Sequence, residues 1–421
     1  MKICGIVAEF NPFHNGHAHL LRETRQLLGE DTGIVCCMSG NFVQRGQCAL
    51  LPKHLRAKAA LQSGADLVLE LPAPYALRSA EGFASSAVAI LAALGQITDL
   101  SFGAEDADTA ALMELASLLL EHKTVQDTLV HLRTGISYAA ARERALYQQV
   151  QERAHLLRKP NNILAIEYCK ALQAQKLAIV PHAIPRAGVS HDDDRVVGRF
   201  ASASLLRQMT GEEQFDILSS YMPESSAEIL REAKSTGLLM TDTAQLDAVA
   251  LPHLLRLRME DLSALPDATE GLEHRLYSAI RQSRSLQGMA EAAQTKRYPL
   301  ARVRRMLLCA YLGITAEESA APPAYIRVLG FTARGQEILR KAAKTTSLPI
   351  ITKPAHARDL GGTVEEAFTR EALRSDLYHL ALPAHRSIPL GSDWRANPVM
   401  LREEKNKNFS PKKCEKRQEN P

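Results

Sequence analysis

Short apolar runs recur along the first half of the chain at residues 2–8 (KICGIVA), 33–38 (GIVCCM), 66–71 (DLVLEL) and 98–102 (TDLSF), each followed by a segment with helical spacing. That alternation constrains the fold more than any other feature. Parallel neighbours need a crossover, and the crossover helices cover both faces of the sheet, so its strands read as continuous apolar runs. Helices are expected near 17–28, 53–63, 79–94 and 107–121, then at 161–173, with a further apolar run at 177–182 (LAIVPH). The helix that includes Ser204–Met209 closes this part, and Gly211 with the polar run after it marks a boundary. We therefore expect an α/β domain with a parallel sheet over residues 1–212. From 213 to 400 the patterns at 225–234, 242–262, 271–283, 301–312, 334–344 and 363–379 are helical, with short strand-like runs only around 325–329 and 348–351. That predicts a mostly α-helical C-terminal domain. The last residues, 401–421, carry seven Lys or Arg and few apolar side chains, the composition of a disordered basic tail.

A chain of 421 residues with 46% hydrophobic content is long enough for two or three domains and is not wholly disordered. No run approaches the ~18–20 apolar residues of a membrane span, and a strand follows directly on Lys2, so a cytoplasmic protein is expected. The seven cysteines are odd in number and contain no CxxC pair, which reads as reduced thiols. Cys36 and Cys37, adjacent in a strand, should point to opposite faces as small buried hydrophobes.

The chemistry begins where the first strand ends. Residues 5–21, GIVAEFNPFHNGHAHLL, run from strand through a loop into a helix, with His14 and His17 at its start. Free N–H groups and the positive end of the helix dipole converge there, Gly16 leaves room for close approach, and the two imidazoles can reach one anion. A zinc site built on His14, His17 and His19 is disfavoured, because no cysteine or carboxylate falls at ligand spacing beside them; no metal site is expected. Ser39–Gly46 (SGNFVQRG) follows the second strand and offers Asn41, Gln44 and Arg45, with Gly40 and Gly46 to let backbone approach a ligand. In KPNNILAIEY, Pro160 opens a helix, one asparagine can cap it and the other can face a base or ribose. Ile184–Asp194 carries Arg186 and His191, and its run Asp192–Asp194 reads as a solvated turn, with a hydrated magnesium ion as the alternative. In ASASLLRQ, Ser202 is the expected cap, and Ser204 with Arg207 can clamp departing phosphates.

The strand–HxGH–helix start and the Ser-x-Ser-x-x-Arg helix resemble the HIGH-type nucleotidyltransferase superfamily. More narrowly, EFNPFHNGHAHLL, MSGNFVQRG, LPAPYALRSAEGFA, SFGAE, KPNNILAIEY, SASLLR and TKRYPLARVRRML together resemble the bacterial tRNA(Met) cytidine acetate ligase family, over residues 1 to about 390. The resemblance implies a Rossmann-like HIGH-type nucleotidyltransferase domain. It also implies a reaction in which ATP and acetate form acetyl-adenylate and pyrophosphate, and the acetyl group passes to N4 of the wobble cytidine of elongator tRNA(Met). By similarity, His14 and His17 are catalytic. The ATP site takes in Val7, Ala8, Glu9, Phe10, Asn11, Pro12, Phe13, His14, Asn15, Gly16, His17, Ala18, His19 and Leu20, then Gly103, Asn162 and Arg186, with Ser204 and Arg207 as the looser second motif. Ala165 stands where the family usually has glycine.

From Arg275 to Gly313 eight basic residues face a single acid, Glu291. Lys296, Arg297, Arg302, Arg304 and Arg305 are the candidates for tRNA phosphates, with Tyr298 free to stack or pack; a solvated face carrying internal salt bridges is the other reading. Two further functions remain compatible with the residues: a small-molecule adenylyl- or cytidylyltransferase, and a non-catalytic RNA-binding protein. Oligomeric state is not legible.

Overall fold

The computed structural model describes residues 1–187, 196, 198–212 and 214–401; His191, the run Asp192–Asp194 and the tail from Arg402 onward lie outside them. Ten strands are described: β1 (Ile3–Ala8), β2 (Gly33–Ser39), β3 (Phe42–Val43), β4 (Gln47–Cys48), β5 (Leu67–Leu71), β6 (Asp99–Ala104), β7 (Val180–Pro185), β8 (Ile326–Phe331), β9 (Ile350–Ile351) and β10 (Val399–Met400). The main sheet runs β10-β8-β5-β2-β1-β6-β7, with β9 beside β8, and β3–β4 form a separate hairpin. The five strands β5-β2-β1-β6-β7 are parallel to one another, as the βα alternation requires.

Strand alternation divides the core. Ile34, Cys36 and Met38 of β2 pack with Ile6, Leu21 and Ala57 on one face, while Val35 and Cys37 pack with Leu69, Phe83 and Ile166 on the other. The two adjacent cysteines therefore face opposite layers. All six described cysteines are free thiols, and burial pushes Cys4 and Cys48 up to about 12, which leaves them inert. Helices Asn15–Leu28 and Lys53–Gln62 cover the first face; Ala80–Ala93, Thr109–Leu120 and Pro160–Ala174 pack together on the second.

Residues 326–331 return from the C-terminal half, and β8 pairs antiparallel with β5, carrying β9 and β10 with it. The sheet is thus mixed at one edge, where strands from the C-terminal half complete it. Without β8, the wholly buried strand β5 would be an open apolar edge. A buried ionic cluster fastens this return: Lys53 Nζ lies 2.6 Å from both Glu70 Oε1 and Asp393 Oδ2, and Arg327 donates to Asp393 Oδ2 at 2.8 Å.

The C-terminal helices build their own core from Leu246, Leu254, Leu276, Ile280, Met289 and Val303, which extends to Phe42, Ala73 and Leu77 of the sheet part. The pattern over 242–262 is two helices, Thr243–Arg256 and Met259–Ser263, broken at Leu257–Arg258. Among the described residues no helix is long and apolar enough to cross a membrane.

Candidate active site

The strand order reverses direction at β1, with β2 and β5 leading one way and β6 and β7 the other. In an open parallel sheet the crevice outside the strand C-termini at that point is where ligands bind. His14 and His17 stand in it. His14 is the N-cap of helix Asn15–Leu28, and its Nδ1 accepts from Gly16 N at 3.0 Å. His17 closes the reciprocal half, its Nδ1 accepting from His14 N at 3.3 Å. The pair is a capping box made of imidazoles, at the same three-residue spacing that serine and glutamate ordinarily use. A ring nitrogen that accepts carries no proton, so in both rings the proton resides on Nε2. The rings stack with centroids 3.8 Å apart. Behind them Phe10 takes a left-handed φ of 46°, a strain of order 1 kcal/mol, with its buried ring 4.8 Å from Phe13 and 5.0 Å from His17.

A cavity of about 300 Å³ opens in front of this turn. One flank is apolar, formed by Phe83, Phe102, Ile163, Leu164 and Tyr168. Charged groups meet on the others. Burial pushes the Glu9 carboxyl upward, against the pull of the Gln44 backbone N–H and of Arg207, Arg56 and Arg45; its Oε1 accepts from Gln44 N at 2.6 Å. Arg207 donates to Asn11 O at 2.9 Å and to Ser204 Oγ at 3.2 Å. Arg186 donates to Asn161 Oδ1 at 3.3 Å, while its buried Nε has no hydrogen-bond partner among the described residues. Burial lowers the pKa of both guanidiniums, a sign that they sit in a poorly hydrated space. Among the described residues no group of three or more His, Cys, Asp or Glu is placed to hold a metal ion.

Of the residues named from sequence, Val7, Ala8, Glu9, Phe10, Asn11, His14, Gly16, His17, His19, Leu20, Gly103, Arg186 and Arg207 line this one cavity. The others stand behind it. Phe13 is core, Pro12 is buried, and Ala18 packs against the core from its edge. The Asn15 amide donates to Arg199 O and Ser220 O. Asn162 is fully buried, and its amide donates to Asp106 Oδ2 at 2.7 Å and accepts from Asp106 N, so Asn161 is the asparagine that faces the cavity. Ser204 supports Arg207 rather than lining the wall itself. Ala165, where glycine is usual, is buried in the core of its helix and faces no ligand space.

The two glycines of SGNFVQRG make room for protein rather than for a ligand. A Cβ on Gly40 would come 2.8 Å from Glu70 Oε1, and one on Gly46, at φ 73°, would come 2.4 Å from Arg305 N. The hairpin β3–β4 therefore seats directly on the backbone of helix Leu300–Leu312. Val43, Gln44, Arg45 and Gln47 of the same segment line the cavity. Sequence reasoning singled out the loop but not Val43 or Gln47, and it missed the apolar flank, whose residues come from two helices and from Phe102 of β6 and carry no polar signal. One buried residue ties the loops together: Arg56 donates to Leu51 O at 2.9 Å, to Glu9 O at 2.7 Å and to Ser39 O at 3.0 Å, and also to Gly40 O.

The basic segment divides. Lys296 and Arg297 are exposed, and Arg297 pairs with Glu270 at 2.6 Å. Arg302 donates to Thr269 Oγ1 and Asp267 O. Arg304 donates to Gln287 Oε1 at 2.7 Å. Arg305 is not a surface donor: it is buried and reaches Gln44 O at 3.4 Å. Tyr298 is buried too, its hydroxyl donating to Glu270 O at 2.5 Å, so its ring packs and does not stack on a base.

Residues 1–389 match the HIGH Nucleotidyl Transferase family model. The tRNA(Met) cytidine acetate ligase of Fervidobacterium nodosum is 34% identical over 428 residues, covering 95% of this chain and all of the relative. The chain belongs to the tRNA(Met) cytidine acetate ligase family. The ligase of Thermoanaerobacter sp. is 37% identical over 391 residues, covering 90% of this chain and 96% of its own. Among solved structures, Thermotoga maritima TmcAL in its apo form superposes with a TM-score of 0.90 at 32% identity, and the same protein bound with alpha-thio ATP with 0.85 at 30% identity. Each covers 96% of this chain and 100% of the matched one. The ATP analogue in that relative agrees with ATP as the substrate of the ligase family.

Proposed function

We propose that this chain activates acetate with ATP and transfers the acetyl group to N4 of the wobble cytidine of elongator tRNA(Met). What carries the reading is the imidazole capping box in the wall of the switch-point cavity, with Arg186 and Arg207 beside it. Acetate oxygen attacks the α-phosphorus, the bond to the β-phosphate oxygen breaks, and pyrophosphate leaves. Nε2–H of His14 and of His17 donate to the α-phosphate as charge builds, while their Nδ1 atoms stay bonded to the helix they cap. The donors are thus fixed before the substrate arrives, which is the condition under which electrostatic stabilisation is effective. Arg207 and Arg186 hold the remaining phosphates, and the apolar flank takes the adenine ring. The N4 amine then attacks the acetyl carbon, the bond to the phosphate oxygen breaks, AMP leaves with the electron pair and one proton is released.

Adenylation is assigned to residues 1–212 and tRNA docking to 213–400, with Lys296, Arg297, Arg302 and Arg304 as the phosphate contacts; β8–β10 join the two parts through the sheet. Magnesium would be carried by the ATP phosphates and would offset their charge, and the workplace that fits a tRNA substrate is the cytoplasm. Incubation with ATP, radiolabelled acetate and elongator tRNA(Met) tests the reading: label in N4-acetylcytidine is expected. A folded, ATP-binding protein that leaves the RNA unlabelled but releases pyrophosphate with another metabolite would be a small-molecule transferase instead.

A further inference from the structure

A second cavity, of about 370 Å³, adjoins the first. Gln47 and Arg207 line both. Its walls differ from those of the ATP cavity. They bring together hairpin residues Gly46–Cys48, the helix that carries Arg207, and the helices beginning at Thr243, Leu286 and Leu300. Met240, Leu246, Leu307 and Leu308 supply apolar surface, and Thr243, Asp247 and Gln287 supply polar groups between them. Asp247 Oδ1 accepts from Leu286 N at 2.8 Å, which holds the carboxylate in place, and Arg304 stands in the same wall against Gln287.

We propose that this second cavity receives the acceptor pyrimidine of the RNA, turned out of its stack, with its amine edge toward Gln47 and Arg207. The inference rests on the tRNA-acetylation reading and adds to it where the base sits. Three observations carry it. A base to be acetylated must come within bonding distance of an acyl group held in the first cavity, and this cavity alone shares wall residues with the first among the pockets described. Apolar faces with a few fixed polar groups at the edge are what a flipped base requires, since its faces are uncharged and its rim is not. And the wall belongs to helix Leu300–Leu312, which brings Arg304 to the cavity and carries Arg302 two residues before it, basic groups suited to the phosphates flanking an extruded nucleotide.

The test uses the full chain with ATP, acetate and tRNA(Met). Unlabelled RNA with the unaltered protein defeats the acetylation reading itself, whatever the variants do. Given labelled RNA, Leu246→Trp, which fills the cavity from a buried position, and Gln287→Trp, which fills it from an exposed one, are each expected to lower acetyl transfer by about 100-fold, the size of effect that misplacing a reacting group produces. Acetate-dependent pyrophosphate release should remain within about threefold, because the ATP cavity is not entered; it also reports that each variant is folded. An anticodon stem-loop carrying 4-thiouridine at the acceptor position should photo-cross-link to peptides spanning residues 240–256 or 286–308. Transfer that survives both tryptophans, or cross-links confined to the ATP cavity and surfaces elsewhere, overturns the proposal.

Discussion

His14→Asn separates the two jobs assigned to one side chain. At the N-cap an asparagine oxygen can accept from Gly16 N as the histidine Nδ1 does, so the helix start survives. Nothing in asparagine reaches as far as Nε2. His17 keeps its bond to the backbone N of residue 14, which the substitution does not touch. His14→Ala removes both functions. The cap is worth about 1 kcal/mol, and substitution among good caps changes stability by a few tenths. Loss of a preorganised donor to the reacting phosphate costs about 2.7–4 kcal/mol in the transition state, or roughly 100- to 1,000-fold in rate. The magnitudes decide the interpretation: a protein stable by ~5 kcal/mol that loses ~1 kcal/mol remains more than about 99% folded, so unfolding cannot account for a hundredfold loss. Urea denaturation should place His14→Asn near the unaltered protein and His14→Ala below it. Acetate-dependent pyrophosphate release should be down by roughly 100- to 1,000-fold in both. If His14→Asn recovers to within about threefold of full activity, His14 is a cap and not a catalyst, and the phosphate role assigned to Nε2 is wrong.

The remaining expectations concern packing, charge and ATP. Gly46→Ala forces a φ of 73° on an L-residue and drives a Cβ into the backbone of Arg305; a loss of about 2 kcal/mol or more in chemical denaturation is expected, and a stability unchanged to a few tenths would refute the close seating. Lys53→Met leaves Glu70 and Asp393 buried with Arg327 between them, at a cost of about 3–5 kcal/mol, most of which Asp393→Asn in the same chain should recover; additive losses in the double variant would contradict a coupled cluster. Burial and then the charge of Glu70 push the Glu371 carboxyl from its ordinary 4.5 up to about 7, against Arg374 and Lys53. The folded state therefore binds that proton more tightly than the unfolded chain, so its stabilising contribution falls as pH rises from about 4.5 to about 7, by of order 1–3 kcal/mol. Glu371→Gln, which can still accept from Ala73 N, should flatten that dependence in denaturation midpoints at pH 5 and 8; parallel curves would count against it. Arg186→Ala removes the guanidinium whose Nε has no hydrogen-bond partner among the described residues and should weaken ATP binding about tenfold or more by calorimetry, whereas a twofold change would dismiss it as a phosphate ligand.

The sheet and the site were legible to different depths for one physical reason: hydrophobic period is local, and contact is not. The five parallel strands lie within a few residues of their expected runs because each strand and its crossover helix carry their own pattern. β8 was visible only as a short apolar run, since its partner β5 lies more than two hundred residues earlier and no spacing announces the pairing. At the site, the motifs mark loops but carry no signal that discriminates between neighbouring residues. Asn161 and Asn162 are one residue apart on a helix, hence about 100° apart around its axis, so only one can face the cavity. The choice fell to the loop after β6, where Asp106 engages the Asn162 amide while Glu105 takes the Asn161 amide and the Asn162 N–H. Arg304 and Arg305 repeat the case: one turns to the second cavity, the other to the Gly46 hairpin. The histidines show the converse. Their His-x-x-His spacing was read as two donors converging on an anion, yet it is equally the spacing of a capping box, and the structure uses it so. The two readings are complementary: a cap that engages Nδ1 is what fixes where Nε2–H can donate, so the helix start holds its donors rigid through the same bonds that stabilise it.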